Sequence, residues 1–207
     1  MKLALLVFAA ISALVASGSQ AADKPSGVVL TSKFGGESAD FTRLLYFQEI
    51  GAIRSTFKGE ALSGKNYQLV LYEYQDGAQK SREVFFDSSE SEYFRIGGGE
   101  LDFYTFAQRL PSSEVKIEVQ FPGFSKSVSK AVAPEEFGFA LKDFTAGREI
   151  SDVELGKELP LVTYIMPYTK SDGSTQYCEV VQSGVSPHAL GLKYKIRKYY
   201  LIAIKIH

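Results

Sequence analysis

The chain has 207 residues, with 23 basic and 24 acidic side chains and a formal net charge of −1. This near-neutral balance argues against a general nucleic-acid-binding protein, which needs a large positive field to attract the phosphate backbone. Hydrophobic residues make up 45% of the chain. That share is ordinary for a globular domain, so we expect a packed fold and not a disordered chain.

The first residues have the pattern of a secretory signal. Lys2 supplies a short positive start, and an apolar run interrupted only by Ser12 follows it. Residues 19–21, Ser-Gln-Ala, place small side chains at both positions that a signal peptidase reads. The run is too short to span a membrane. We predict a signal peptide at residues 1–21 and an exported mature chain, periplasmic or extracellular, at residues 22–207, with no transmembrane span.

Two single residues indicate the type of secreted protein. Cys178 is the only cysteine, so the chain cannot form an internal disulfide. Asn66 is followed by Tyr67 and Gln68, so this one asparagine is not an N-glycosylation acceptor. Because animal secreted proteins tend to use disulfides, the combination favours a bacterial exported protein.

Two-residue alternation of apolar and polar side chains predicts β-strands along most of the mature chain. Residues 115–121 alternate without a fault, which puts one face on a core and the other in water. Residues 40–50 suit either a helix capped by Asp40 or a strand, and residues 134–137 suggest a helical turn. The predicted strands are Val28–Phe34, Ala52–Phe57, Tyr67–Tyr74, Arg82–Phe86, Glu92–Ile96, Glu100–Gln108, Val115–Phe121, Leu161–Tyr168, Gln176–Gln182, Leu192–Arg197 and Lys198–His207.

Turn residues separate these strands at short intervals. Asp-Gly pairs at 76–77 and 172–173 each predict a β-hairpin, and Gly97–Gly99 predicts a turn. Many short strands with such spacing predict an all-β fold, an antiparallel β-sandwich with at most one or two short helices. Residues 123–134 mark a possible boundary between two small β-subdomains, or a long crossover between sheets.

The last predicted strand, Lys198–His207, is apolar almost to its final residue. Tyr200, Ile202, Ile204 and Ile206 lie on one face of it. Such a strand is either central in a sheet or paired with a neighbour. At an edge, it would be a candidate for strand addition between chains.

No motif predicts catalytic, cofactor-binding or metal-binding residues. Cys178 and His188 form the only Cys–His combination worth considering, but the apolar neighbours of Cys178 favour a small buried side chain. His188 and His207 are too few for a zinc site, which needs at least three protein ligands. Carboxylates that a fold could pair for glycoside cleavage are numerous and undistinguished: Glu73, Glu83, Glu100, Asp102, Glu118 and Glu179.

A row of basic residues is the strongest local charge feature. On a strand, Lys193, Lys195 and Arg197 would share one face, and such a face is by default solvated. It could also meet an anionic partner. With Tyr199 and Tyr200 as rings for stacking or gripping, these five residues form the predicted interaction surface.

These observations predict an exported, non-catalytic β-sandwich protein that acts as a binding module or as a structural part of an assembly. Its partner would be a protein or a glycan, with no nucleic acid and no cofactor. One alternative is a cell-envelope polysaccharide hydrolase or lyase, which would need a cleft lined by two carboxylates and several tyrosines. Another is a small outer-membrane β-barrel, for which the length and the alternating last strand are suitable.

Overall fold

The computed structural model describes residues 26–177 and 181–207. It contains two antiparallel five-stranded sheets packed against each other, with only short helices, which confirms the predicted all-β sandwich. The predicted signal peptide and Cys178 lie outside the described residues. Within these ranges, no helix has both the length and the apolar character needed to cross a bilayer.

The described residues form twelve strands, two short α-helices and several 3₁₀ turns. The helices are α1 (Ala39–Phe47) and α2 (Leu190–Tyr194), with 3₁₀ turns at Glu60–Leu62, Ser88–Glu90, Glu92–Phe94 and Pro187–Ala189. The strands are β1 (Val29–Phe34), β2 (Gly51–Lys58), β3 (Tyr67–Gln75), β4 (Ala78–Asp87), β5 (Glu100–Leu110), β6 (Glu114–Phe121), β7 (Phe124–Ala131), β8 (Ala140–Asp143), β9 (Glu158–Ile165), β10 (Tyr168–Thr169), β11 (Thr175–Gln176) and β12 (Lys198–Ile206).

The strands divide between two sheets. Sheet I has the order β1-β2-β5-β6-β7, and sheet II has the order β4-β3-β12-β9-β8. Among the described residues, β10 and β11 pair only with each other. The stretch 123–134 contains β7 and the start of the crossover from sheet I to sheet II.

Alternation along β6 shows why the strands form where they do. Val115, Ile117, Val119 and Phe121 are buried between the sheets, while the polar residues between them face outward. Burying one such side chain stabilises a fold by about 1.5–3 kcal/mol. The inner face of sheet II supplies the opposite half of the same core.

Strand β12 lies in the middle of sheet II and is buried on both faces. It pairs with β3 on one side and with β9 on the other. Tyr200, Ile202, Ile204 and Ile206 face sheet I as predicted. The opposite face packs under the segment between β9 and β12, against residues such as Leu190 and Ile196. The first of the two predicted alternatives, a central strand, is therefore confirmed, and strand addition at an edge does not apply because β12 has no free edge.

The predicted strand Leu192–Arg197 is wrong. Residues 190–194 form α2, which ends at Lys195 in the left-handed conformation (φ 54°). Gly191 permits this packing, because a Cβ there would lie only 2.9 Å from the Cα of Gly77. An alternation of only five or six residues does not distinguish a strand from a short helix, because tertiary contacts then determine the secondary structure.

Other local predictions differ from the structure in identifiable ways. The predicted strand at 92–96 is a 3₁₀ turn, since the Ser91 hydroxyl accepts a hydrogen bond from the N–H of Tyr93 (3.3 Å). Residues 134–135 form a turn without a helix. The predicted strand 176–182 ends at Gln176, and residues 178–180 lie outside the described part of the chain.

The structure resolves the helix-or-strand alternative at residues 40–50 and shows what the two Asp-Gly pairs form. Residues 39–47 are helical, and the cap is Ser38, whose hydroxyl accepts from the N–H of Phe41 (3.1 Å). Asp76 and Gly77 both have positive φ, as a two-residue type I′ hairpin between β3 and β4 requires. The Asp172-Gly173 pair joins only the two-residue strands β10 and β11.

Candidate functional site

Three of the five predicted surface residues lie together at one cleft. Lys193, Lys195 and Arg197 are exposed and line a cavity of about 560 Å³ between α2, the β10–β11 hairpin and the crossover before β8. They come together because α2 turns the chain at Lys195, and not because they share a face of a strand. We call this cavity, with its lining residues Tyr168, Tyr194 and Glu135, the cationic cleft.

The other two predicted surface residues are buried, and that part of the prediction is wrong. Tyr199 stacks on Tyr74 with ring centroids 4.5 Å apart, and its hydroxyl donates to the carbonyl of Pro187 (3.2 Å). Tyr200 lies between the sheets and has no hydrogen-bond partner for its hydroxyl among the described residues. Both belong to β12, which is covered on both faces.

A second site was not found by sequence reasoning: an exposed apolar surface around α1. Five of the nine large hydrophobic side chains that are exposed in the described residues lie there. Phe47 is 82% exposed and Leu44 is 53% exposed, while Leu45 is buried beneath them. We call this surface the α1 surface; its members are Phe34, Phe41, Leu44, Tyr46 and Phe47.

Three cavities adjoin α1. One of about 450 Å³ separates the helix from the outer face of β5 and β6, and a second of about 400 Å³ lies at its N-terminal end. Both are lined by Phe41 and Phe106. A third cavity of about 660 Å³ lies beyond Tyr46, between Phe34 and Tyr164. Exposed apolar ridges next to apolar grooves are typical of a docking surface.

The sequence contains a signal for this surface. Residues 41–47 read Phe-Thr-Arg-Leu-Leu-Tyr-Phe, which places apolar side chains around most of the helix. A helix on the surface of a monomer normally has a single apolar stripe. Apolar residues outside the stripe therefore indicate a second contact, once the segment is known to be helical.

A charged cluster closes one end of the space between the sheets. Lys198, only 7% exposed, has its Nζ 3.0 Å from Glu73 and 3.6 Å from Glu136. Burial by itself would raise the pKa of Glu136. The N–H of Ala133, the Gln75 amide and the nearby cations outweigh burial and leave that pKa below its usual value. The cluster is paired internally, and we assign it to stability.

A second polar network covers part of the outer face of sheet II. Glu158 accepts hydrogen bonds from the Tyr72 hydroxyl and the Arg82 guanidinium, and His188 contacts the Tyr74 hydroxyl. Desolvation where the His188 ring packs on its neighbours lowers the pKa of His188. None of the five cavities described includes these residues. We therefore interpret the network as an anchor for the segment before α2.

The carboxylates considered for glycoside cleavage take part in ion pairs. Each of those that the structure describes lies beside a basic side chain. A general acid in such an enzyme needs a raised pKa, whereas that of Asp102 is lowered beside Arg54 and Thr56 in spite of partial burial. Glu179 lies outside the described residues. The pairs are Glu73–Lys198, Glu83–Lys130, Glu100–Lys58, Asp102–Arg54 and Glu118–Lys116.

Residues 26–177 and 181–207 contain no group of three His, Cys, Asp or Glu side chains placed to bind a metal ion. Over the residues that the structure describes, the chain is a β-sandwich that carries an exposed apolar surface at α1 and a cationic cleft beside α2. No protein-family model, curated protein or solved structure matches it.

Proposed function

We propose that this chain is an exported, non-catalytic binding module that docks another protein through the α1 surface. The signal-like residues 1–21 support export to the periplasm or the medium. The exposed α1 surface is the observation on which docking depends. Contiguous apolar surface of this kind marks interaction sites in soluble proteins, because its burial in a complex is favourable.

The α1 surface is rigid enough to act as a preformed site. Ser38 caps the helix, the Gln108 amide donates to the carbonyl of Gln48 (2.8 Å) at its other end, and Leu45 packs beneath it. A preformed surface loses little conformational entropy on binding. The exposure of Phe47 is therefore a stable property of the fold.

The energetics favour a protein partner. Burying an exposed Phe or Leu side chain contributes about 1.5–3 kcal/mol, and a few central aromatic anchors dominate most interfaces. Phe47 and Leu44 form the ridge, and the groove beside Phe41 can accept an apolar side chain of the partner. The Lys116–Glu118 ion pair (2.6 Å) at the groove provides a polar rim.

The test is site-specific photo-cross-linking in cells that export the full chain. A photoreactive phenylalanine replaces Phe47, and a matched probe replaces Leu192, which is 71% exposed on α2. We expect one defined cross-linked species from position 47, lost in the Leu44→Ser variant, and none of equal yield from position 192. Sedimentation of the purified protein shows whether that species is a second copy. Equal cross-linking from both positions, or a product unaffected by Leu44→Ser, would refute the proposal.

A further inference from the structure

We propose that the cationic cleft binds a short acidic saccharide, with a sugar carboxylate against the basic residues and sugar rings against the tyrosines. This site is separate from the α1 surface, since it is built from α2, the residues just after it, the β10–β11 hairpin and the crossover before β8. It therefore adds a ligand to the proposed docking function and does not depend on it.

The basic side chains at the cleft are available to a ligand. Lys195 has no side-chain partner among the described residues, and Lys193 contacts only the ring of Tyr194, with its Nζ 5.6 Å from the centroid. Arg197 is oriented by Glu135, whose Oε1 lies 2.8 Å from its Nη2. Lysine and arginine form strong charge-assisted hydrogen bonds with carboxylates. Glu135 adds an acceptor for sugar hydroxyl groups.

The backbone at Lys195 provides an independent observation. Its φ of 54° places it in the left-handed region at the end of α2, where glycine or asparagine is preferred. A lysine there costs about 1 kcal/mol relative to glycine. Unfavourable conformations of this kind cluster at functional sites, where the side chain that they present is required.

The rest of the lining indicates which anion fits. Tyr168 and Tyr194 meet edge to face, with centroids 5.6 Å apart, and add aromatic surface to the cleft. Such rings stack on the C–H faces of sugars, which a simple inorganic anion does not offer. A volume of about 560 Å³ lies within the usual range for small-ligand sites. The formal net charge of −1 argues against broad attraction of long polyanions, so the fit is to a short chain.

Isothermal titration calorimetry with trigalacturonic acid tests this proposal, with neutral maltotriose and inorganic phosphate as controls. We expect binding of the acidic trimer that weakens as salt rises, with little heat from either control. Lys193→Gln should weaken binding about tenfold through one lost charge-assisted contact, whereas Lys80→Gln on β4 should not.

The Lys195→Gly variant distinguishes an effect on ligand affinity from an effect on stability. Glycine suits a φ of 54°, so the urea midpoint should stay equal or rise, while affinity for the acidic trimer falls about tenfold. Absence of binding, equal binding of maltotriose or phosphate, or an unchanged affinity in Lys195→Gly would each overturn the proposal. The Phe47→Ser variant should bind the trimer normally, so failure of the docking proposal leaves this result unaffected.

Discussion

Replacement of Glu136 by glutamine tests how the charged cluster contributes to stability. The Glu136 residue is 3% exposed, and its carboxylate accepts hydrogen bonds from the N–H of Ala133 (2.9 Å) and the Gln75 amide (3.0 Å). It also faces Lys198 at 3.6 Å. Glu136→Gln preserves the shape of the side chain but removes its charge and one of its two acceptor oxygens.

The expected loss follows from these contacts. The side-chain amide introduced by Glu136→Gln can accept from only one of the two donors, and its own NH₂ group then faces the other. Loss of a charge-assisted hydrogen bond costs about 1.5–3 kcal/mol, and a buried donor left without a partner costs about 1–3 kcal/mol. Because Lys198 keeps Glu73 at 3.0 Å, the low end applies. We expect the free energy of unfolding to fall by about 2.5 kcal/mol.

Urea denaturation measured by tyrosine fluorescence or circular dichroism gives this difference directly. Glu135→Gln is the matched control, because the neighbouring carboxylate makes the same type of contact with Arg197 at the surface (2.8 Å). Exposed pairs contribute little, so the control should show no measurable loss. Equal stabilities of the two variants would refute the assignment of the Lys198 cluster to stability.

The effect of Glu136→Gln should also depend on pH. The pKa of Glu136 in the folded chain lies below its ordinary value of 4.5. Its contribution is therefore complete above pH 4.5 and is lost as the pH falls through the folded-state pKa. Glutamine does not titrate, so the difference in free energy of unfolding between the wild-type chain and the Glu136→Gln variant should become smaller in acid. A difference that stays constant with pH would mean that the loss comes from the changed shape of the side chain and not from its charge.

Two further substitutions test the packing beside α1. Gly51→Ala should lower the free energy of unfolding by about 1–3 kcal/mol, because the new Cβ would lie 2.5 Å from the Cβ of buried Leu141; thermal unfolding that matches the wild type would contradict this. Asp102→Asn should cost about 1–2 kcal/mol, since the side-chain amide can accept only one of the two hydrogen bonds that Arg54 donates to Asp102 (2.8 and 2.9 Å). Glu37→Gln changes the exposed contact of the same arginine (3.2 Å) and is the control in urea. Equal losses of stability in both variants would argue against a larger contribution from the part-buried Arg54–Asp102 pair.

Local sequence rules predicted those parts of the fold that local interactions determine. The alternation in residues 115–121 and the Asp76-Gly77 turn each depend on neighbours in the chain, and both were predicted correctly. The short run 192–197 was predicted wrongly because its conformation depends on contact between Gly191 and Gly77. That contact joins residues from distant parts of the chain.

The sites were less predictable than the strands. Lys193, Lys195 and Arg197 were named from charge alone, and the structure brings them to one cleft through a helix that the alternation did not indicate. Prediction of the α1 surface requires knowing that residues 39–47 are helical, because only on a helix does Phe47 lie outside the buried stripe. The partners of Lys198 lie far away in the chain, so its burial had no sequence signal.

The central position of β12 has a consequence for synthesis and export. Residue 67 pairs with residue 206, and β9 reaches the rest of sheet II only through β12. The sheet therefore cannot close until residues 198–206 have emerged from the ribosome. Until then the β3–β4 hairpin has an open strand and exposed apolar side chains, which makes the nascent chain a substrate for chaperones. If the chain is exported, as proposed, and crosses the membrane unfolded, late closure also delays folding until after translocation.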